Sequence, residues 1–341
     1  MLAGLGACVP PRAVSNAMLT AELDTSDEWI RTRTGIHTRY VVAPGMSTGH
    51  LATEAGRRAL RSADMSAVDA VVLATSTPDR LCPATAPLVA SRLGLIGAAA
   101  FDVAAVCTGF VYALATGAGL LSCGAAGSVL VIGADTFSTI LDPADRTTRV
   151  IFGDGAGAVV LRLGTADEPG ALLGFDLGSD GAGADLITVR AGGSEQRSTG
   201  LPAELADTYF RMHGKPVFYR AVRRMTESAL TVVKQVGWEI DEIDRFVAHQ
   251  ANTRILNNCV SELGLPQDRL VVNIDRVGNT VAASVPLALA QAAADGGLRP
   301  GHRTVLTGFG GGLTWGSTAL NWPELTVEDP ITGTHWQHDI T

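Results

Sequence analysis

A chain of 341 residues with 46% hydrophobic side chains has enough apolar material for one large domain or two mid-sized ones. Its formal net charge of −8 excludes nucleic acid as a general partner, and an acidic partner would have to find a local basic patch. The five cysteines (Cys8, Cys82, Cys107, Cys123 and Cys259) form no CxxC and no His–Cys cluster at zinc spacing, which points to a reducing, cytoplasmic setting with neither a disulfide framework nor a metal.

Along the chain, Pro10-Pro11-Arg12 interrupt the stretch where a signal peptide would need a longer apolar run. No apolar run reaches about 18 residues, so no membrane association is expected. In Asp24-Thr25-Ser26-Asp27-Glu28-Trp29-Ile30, Thr25 or Ser26 can cap a helix carrying Trp29, Arg31 and Arg33. An indole face and arginines suit a base and phosphates, but a capped helix with solvated arginines is the plainer reading. Residues 70–75 read as a strand. The run Phe101-Asp102-Val103-Ala104-Ala105-Val106 then leads into Cys107, after which Phe110, Ala113, Leu114, Gly117 and Leu121 fall on one helical face. A thiol at a helix N-terminus meets the positive end of the dipole, which favours the thiolate and hence a nucleophile.

The second half echoes the first. Residues 70–75 resemble 246–249, 104–121 resemble 277–293, 128–135 resemble 302–308, and 157–163 resemble 316–322. Apolar runs alternating with helical patterns indicate βαβ units. The chain therefore divides into halves 1–165 and 166–322, packed as a layered α/β structure with the chemistry where they meet. Within the second half, 166–200 is rich in Gly and Asp and reads as a connecting flap or a surface linker. Residues 323–341 lose the pattern and form a polar tail, in which His335 and His338 are expected to bind nothing.

Three polar positions stand out in apolar surroundings: Cys107, His249 at a strand end, and Asn279 before a small-residue helix. A cysteine nucleophile wants a nearby imidazole and an oriented polar group. Each has a structural explanation alone, as a core thiol, a strand-end histidine or a turn asparagine. Together, on matching elements of duplicated halves, they favour catalysis. The run Gly308-Phe309-Gly310-Gly311-Gly312 can bring backbone N–H groups to a ligand as an oxyanion hole requires, or can simply relieve crowding at an interface.

Six stretches jointly resemble β-ketoacyl-acyl-carrier-protein synthase III, a thiolase-fold condensing enzyme, with a polyketide starter-unit variant included in the resemblance. They are DTSDEWIRTRTGI (24–36), FDVAAVCTGF (101–110), IFGDGAGAVVL (151–161), HQAN (249–252), GNTVAASVP (278–286) and FGGGLTWGS (309–317). The resemblance implies two duplicated halves in an α-β-α-β-α layering. It implies that Cys107 takes an acyl group from acyl-CoA, with the N–H groups of Cys107 and Gly311 as the oxyanion hole. His249 and Asn279 then stabilise the carbanion formed when a malonyl thioester, on acyl carrier protein or CoA, loses CO2, and a β-ketoacyl product starts a fatty acid or polyketide chain. For CoA it implies Trp29, Arg33, Arg146, Asn252, Ala251 and Phe218. For the carrier protein it implies Arg254, and Arg220, Arg223 and Arg224 offer a further basic patch where Ser261 and Glu262 replace the family's lysines. Lys215 stands where asparagine is expected. Leu81 and Cys82 fall where a partner subunit closes the acyl pocket of a homodimer, and the small Cys82 predicts longer or branched acyl groups. No cofactor is implied beyond CoA thioesters as substrates. Two other readings stay open: an acyltransferase that passes the acyl group from Cys107 to a hydroxyl, amine or carrier without decarboxylation, and a silent thiolase-fold subunit.

Overall fold

The computed structural model describes residues 1–333 and residue 336; His335 and His338 lie outside the described residues. Two sheets form its frame. The first contains β1 (Leu2–Cys8), β2 (Ala70–Ala74), β3 (Ala99–Val103), β4 (Ser128–Asp135) and β5 (Gly155–Arg162), in the order β1-β5-β4-β2-β3. β2 runs parallel to both β3 and β4, while β5 is antiparallel to β4 and β1. The second contains β6 (Leu172–Ser179), β7 (Arg245–Ala248), β8 (Arg303–Gly310) and β9 (Thr314–Asn321), in the order β6-β9-β8-β7. Only β7 and β8 are parallel in it. A bridge between Phe246 and Leu270 lies where β3 lies in the first sheet. β2 and β4 are buried throughout, as expected of strands covered on both faces, so they read as continuous apolar runs rather than alternating ones.

Helices α1 (Asp27–Thr34), α2 (Thr48–Ser62), α3 (Gly109–Ser122), α4 (Gly214–Gln235), α5 (Thr253–Leu263) and α6 (Ser284–Ala294) complete the core architecture. Apolar side chains of α3 and α6 share one core with Val72, Val129 and Val131 of one sheet and Val247, Leu306 and Leu320 of the other, so this helix pair is the central layer. The expected face of α3, from Phe110 to Leu121, is buried there. α2 covers the first sheet from outside, and α4 with α5 covers the second. The result is the five-layer α-β-α-β-α arrangement of the thiolase fold.

The halves match residue for residue. Ala70 pairs with Val129 as Arg245 pairs with Thr304, and Leu73 with Ile132 as Ala248 with Thr307. The same register makes Val106 the counterpart of Val281, and both have positive φ, at 46° and 53°. It makes Cys107 the counterpart of Ala282 rather than of Asn279, which stands three residues earlier in its own turn. The two polar residues are therefore not counterparts, although the turns that carry them are.

Two stretches differ from the expectation. Residues 166–200 are not wholly a flap, because Leu172–Ser179 is the edge strand of the second sheet, paired with β9 and packed beside α4. The segment after Trp322 is not merely a polar tail: Leu325, Val327 and Ile331 pack on the central core. Arg58, 3% exposed, donates to Ala7 O and Gly333 O and pairs with Glu54.

Candidate active site

The loops at the ends of β3, β7 and the segment before α6 converge on one cavity. Val106 and Cys107 arrive from the short turn Val106–Thr108 that opens α3, His249 from the residue after β7, and Asn279 from the turn before α6. All three line the same chamber, of about 40 Å³.

Cys107 is half-buried on a left-handed turn, a conformation that strains a β-branched neighbour such as Val106 and persists only where packing enforces it. Burial raises the thiol's pKa, the Asp135 carboxylate raises it further, and the residue's own backbone N–H acts the other way. Burial and the Asp135 carboxylate therefore act against the thiolate that the helix N-terminus favours.

His249 is 2% exposed, and burial lowers its pKa to about 3, so the ring is neutral. Its backbone N–H donates to Thr307 O at 2.8 Å. Nδ1 is sealed without a partner among the described residues. A sealed unpaired donor costs more than a sealed lone pair, which favours the tautomer with the proton on Nε2. No carboxylate orients the ring among the described residues, so it is built as a donor rather than as the base of a Ser-His-Asp type relay. Next to it, Gln250 locks the strand end: its backbone N–H donates to Ser284 Oγ, Nε2 donates to Ala248 O and Val271 O, and Oε1 accepts from Asn273 N.

Asn279 is fixed on both sides. Its N–H donates to Ile151 O at 2.9 Å, its carbonyl accepts from Gly153 N at 3.0 Å, and Oδ1 accepts from Val281 N at 3.0 Å. With Oδ1 engaged by Val281 N, the NH2 group is left as a donor without a partner of its own in this turn. Gly278 before it has φ of 73° and a Cβ there would lie 3.0 Å from Arg39 Cβ and from Ile151 O, so glycine is required.

The glycine run sits at the β8–β9 hairpin. A Cβ on Gly310 would lie 2.8 Å from Cys107 N, which shows how closely this backbone approaches the nucleophile's turn. Gly311 follows at the hairpin tip, against Ile187.

Beyond the chamber, three rings stack edge to face or tilted: Phe137–Phe152 at 4.7 Å, Phe137–Phe210 at 4.8 Å and Phe152–Phe210 at 5.1 Å. With Ile187 and Met212 they wall the side of the cavity beyond Cys107. Sequence reading missed them, because three separate elements supply them; the one available signal was Phe152 inside the quoted IFGDG stretch. On the other side a mouth of about 490 Å³ opens, lined by Arg33, Lys215, Phe218, Ala251, Asn252 and Arg254 among others, and it shares Asn279 with the chamber.

The remaining expected residues fall as follows. Asn252 has a second task, since its Oδ1 caps α5 by accepting from Ile255 N at 2.9 Å. Ser26 caps α1, leaving Trp29 38% exposed. Arg146 donates to Asp24 O at 2.7 Å, just before that helix, but neither Trp29 nor Arg146 lines the mouth. Arg254 lies over Phe218 at 5.4 Å and Arg224 over Trp315 at 4.4 Å. Arg223 and Arg224 share Glu227, whereas Arg33, Lys215, Arg220 and Arg254 have no ion pair among the described residues. Leu81 and Cys82 are exposed and do not line the Cys107 cavity of their own chain. No cluster of three or more metal-ligating side chains occurs among the described residues.

Comparison with known proteins gives the family. Models of 3-oxoacyl-[acyl-carrier-protein] synthase III match residues 101–181, and models of its C-terminal part match 233–322. The β-ketoacyl-[acyl-carrier-protein] synthase III 5 of Streptomyces coelicolor is 59% identical over 96% of this chain and 98% of its own. The chain belongs to the β-ketoacyl-[acyl-carrier-protein] synthase III family. It is an acyltransferase with the thiolase fold. The crystal structure of the Pseudomonas aeruginosa PAO1 synthase III superposes with a TM-score of 0.89 at 55% identity, covering 95% of this chain and 98% of that one. The priming β-ketosynthase of the R1128 polyketide pathway superposes with 0.88 at 33% identity, covering 95% and 96%. No helix among the described residues is long and apolar enough to cross a membrane.

Proposed function

We propose that this synthase III family member condenses an acyl-CoA starter with a malonyl thioester through acyl-Cys107, initiating a fatty acid or polyketide chain. The observation that carries the assignment of roles is the meeting of Cys107, His249 and Asn279 in one chamber, with Asn279 Oδ1 engaged by Val281 N.

In the first half-reaction the Cys107 sulfur attacks the thioester carbonyl. Its proton leaves with the CoA thiolate, and the N–H groups of Cys107 and Gly311 receive the oxyanion. In the second, the malonyl thioester carbonyl accepts hydrogen bonds from His249 Nε2 and Asn279 Nδ2. Its C–C bond to the carboxylate breaks, CO2 leaves, and the electron pair remains as an enolate stabilised by those two donors. A neutral imidazole and an amide suit this role because neither quenches the carbanion with a proton. The enolate carbon attacks the acyl group, the C–S bond to Cys107 breaks, and the departing thiolate takes up one proton from water.

The mouth supports the binding roles of Arg33, Phe218, Ala251 and Asn252 toward the CoA arm. Trp29 and Arg146 belong to the nucleotide end, outside the mouth. The unpaired cations Arg254, Arg220 and Lys215 offer the local basic patch that an acidic carrier protein needs on a chain of net charge −8. The chamber of about 40 Å³ holds roughly three water-sized groups at 10–15 Å³ each, which favours a short starter over the longer one inferred from Cys82. A homodimer through the β3 edge is consistent with the exposed Leu81 and Ile96, at 71% and 97%.

Intact-protein mass spectrometry with a panel of acyl-CoAs tests the reading. A Cys107-dependent adduct, largest with acetyl- or propionyl-CoA and discharged with CO2 release by malonyl-carrier, is expected. An adduct that malonyl thioesters leave in place but an alcohol or amine removes would replace condensation by simple acyl transfer.

A further inference from the structure

The duplication supplies an internal control for the active-site turn. In the first half, Cys107 follows positive-φ Val106; in the second, Ala282 follows positive-φ Val281. Each turn is approached by the end of the other half's central strand. Gly310, the last residue of β8, packs against Cys107 N, and its counterpart Asp135, the last residue of β4, packs against Ala282. Here the symmetry breaks. Asp135 Oδ2 accepts from Ala282 N at 3.0 Å, so a carboxylate oxygen occupies the place that Gly310 leaves open in front of Cys107 N.

The carboxylate is held firmly there. Its Oδ1 accepts from Ser76 N at 2.7 Å, Thr77 N at 3.1 Å, Thr77 Oγ1 at 2.9 Å and Thr75 Oγ1 at 3.2 Å. Asp135 is fully buried and has no ion pair among the described residues. Two successive amides of the second turn are thus engaged by two side chains: Val281 N holds Asn279 Oδ1, and Ala282 N holds Asp135. Resting on the condensation reading above, we propose that Asp135 is a positioning residue: its carboxylate fills the twin of the oxyanion site and, through the Val281–Ala282 turn, fixes Asn279.

The left-handed turn at Val281 is what the carboxylate holds in place. Without it, Ala282 N is a buried donor with no partner, the strained turn relaxes, and the Val281 N–H no longer fixes Asn279 Oδ1. The defect falls on the half-reaction that uses Asn279, not on acyl loading at Gly311 and Cys107.

The test uses purified Asp135→Ala and Asp135→Asn. Condensation of a preloaded acyl-enzyme with malonyl-carrier should fall roughly 10- to 100-fold in Asp135→Ala, the range for a misplaced catalytic contact. Acyl loading per folded molecule should change little, and Asp135→Asn, which keeps an acceptor for Ala282 N, should recover much of the loss. Equal losses in loading and condensation, or no recovery in Asp135→Asn, would overturn the proposal and leave Asp135 a packing residue. Failure of the condensation reading would show separately, as wild type that loads no acyl group.

Discussion

Val106 and Val281 have nearly the same backbone, open twin helices of the central layer, and are met by twin strand ends, yet only one turn carries a nucleophile. At Ala282 the facing residue is Asp135, which uses the turn's N–H; at Cys107 it is Gly310, which leaves that N–H uncovered. Activity on one side of a duplicated frame thus follows from a missing side chain as much as from an added thiol. An oxyanion site must be preorganised yet vacant, and the inactive twin shows how readily the protein fills it.

The largest test of this comparison is Gly310→Ala. A Cβ 2.8 Å from Cys107 N must displace the nucleophile's turn, and acyl-enzyme formation should fall about 10²- to 10³-fold, by the measure of a lost oxyanion donor. Mass-spectrometric loading rates, with a circular dichroism melt for folding, check it. On the other turn, Asn279→Ala should leave loading within a few-fold and cut condensation of preloaded enzyme by roughly 10²-fold or more. Asn279→Asp should be as poor, since it preserves the acceptor for Val281 N and removes the NH2 group; near wild-type CO2 release from Asn279→Asp would deny the donor role.

Phe152→Ala sharpens the comparison from the cavity side. It removes one ring of a packed trio, should cost about 3–5 kcal/mol in urea unfolding, and should shift loading toward longer acyl-CoAs. The smallest effect concerns pH. His249 has a folded pKa near 3 against 6.5 unfolded, so the unfolded chain binds the extra proton between those values. Its contribution to stability is complete above the unfolded value and is lost as pH falls through the window, with a slope of at most about 1.4 kcal/mol per pH unit. Relative to His249→Ala, wild type should lose stability on acidification from 6.5 toward 4; parallel melting curves for the two proteins would contradict this. Asp135 and Asp154, both raised to about 6 by burial, act with the opposite sign. Each contributes stability below the unfolded value that is lost as pH rises through about 6.

Much of this frame is legible without coordinates. Apolar runs and their spacing place the strands and the repeat, and the isolated polar residues in those runs are the three that meet in the chamber. What the chain could not reveal has physical reasons. Cys107 and Asn279 stand three residues apart in the common register of the two halves, and only strand pairing reveals that register. The Phe137, Phe152 and Phe210 wall is assembled by tertiary packing from segments without shared periodicity. The thiol's resting state depends on burial and on Asp135, which a local dipole argument omits. Asn252 displays a capping pattern whose Oδ1 is engaged by backbone, a division of labour visible only once α5 is seen.

Arg58 joins the first strand to the end of the described chain through two carbonyls, Ala7 O and Gly333 O, while Glu328 lies beside it and Arg61. The segment beyond Trp322 therefore works as a clasp. Trimming it to the last strand, as one would to shorten an expression clone, would strand a sealed guanidinium's donors and uncover core beneath Leu325 and Ile331, so the shortened protein should melt earlier although no atom near Cys107 has been touched.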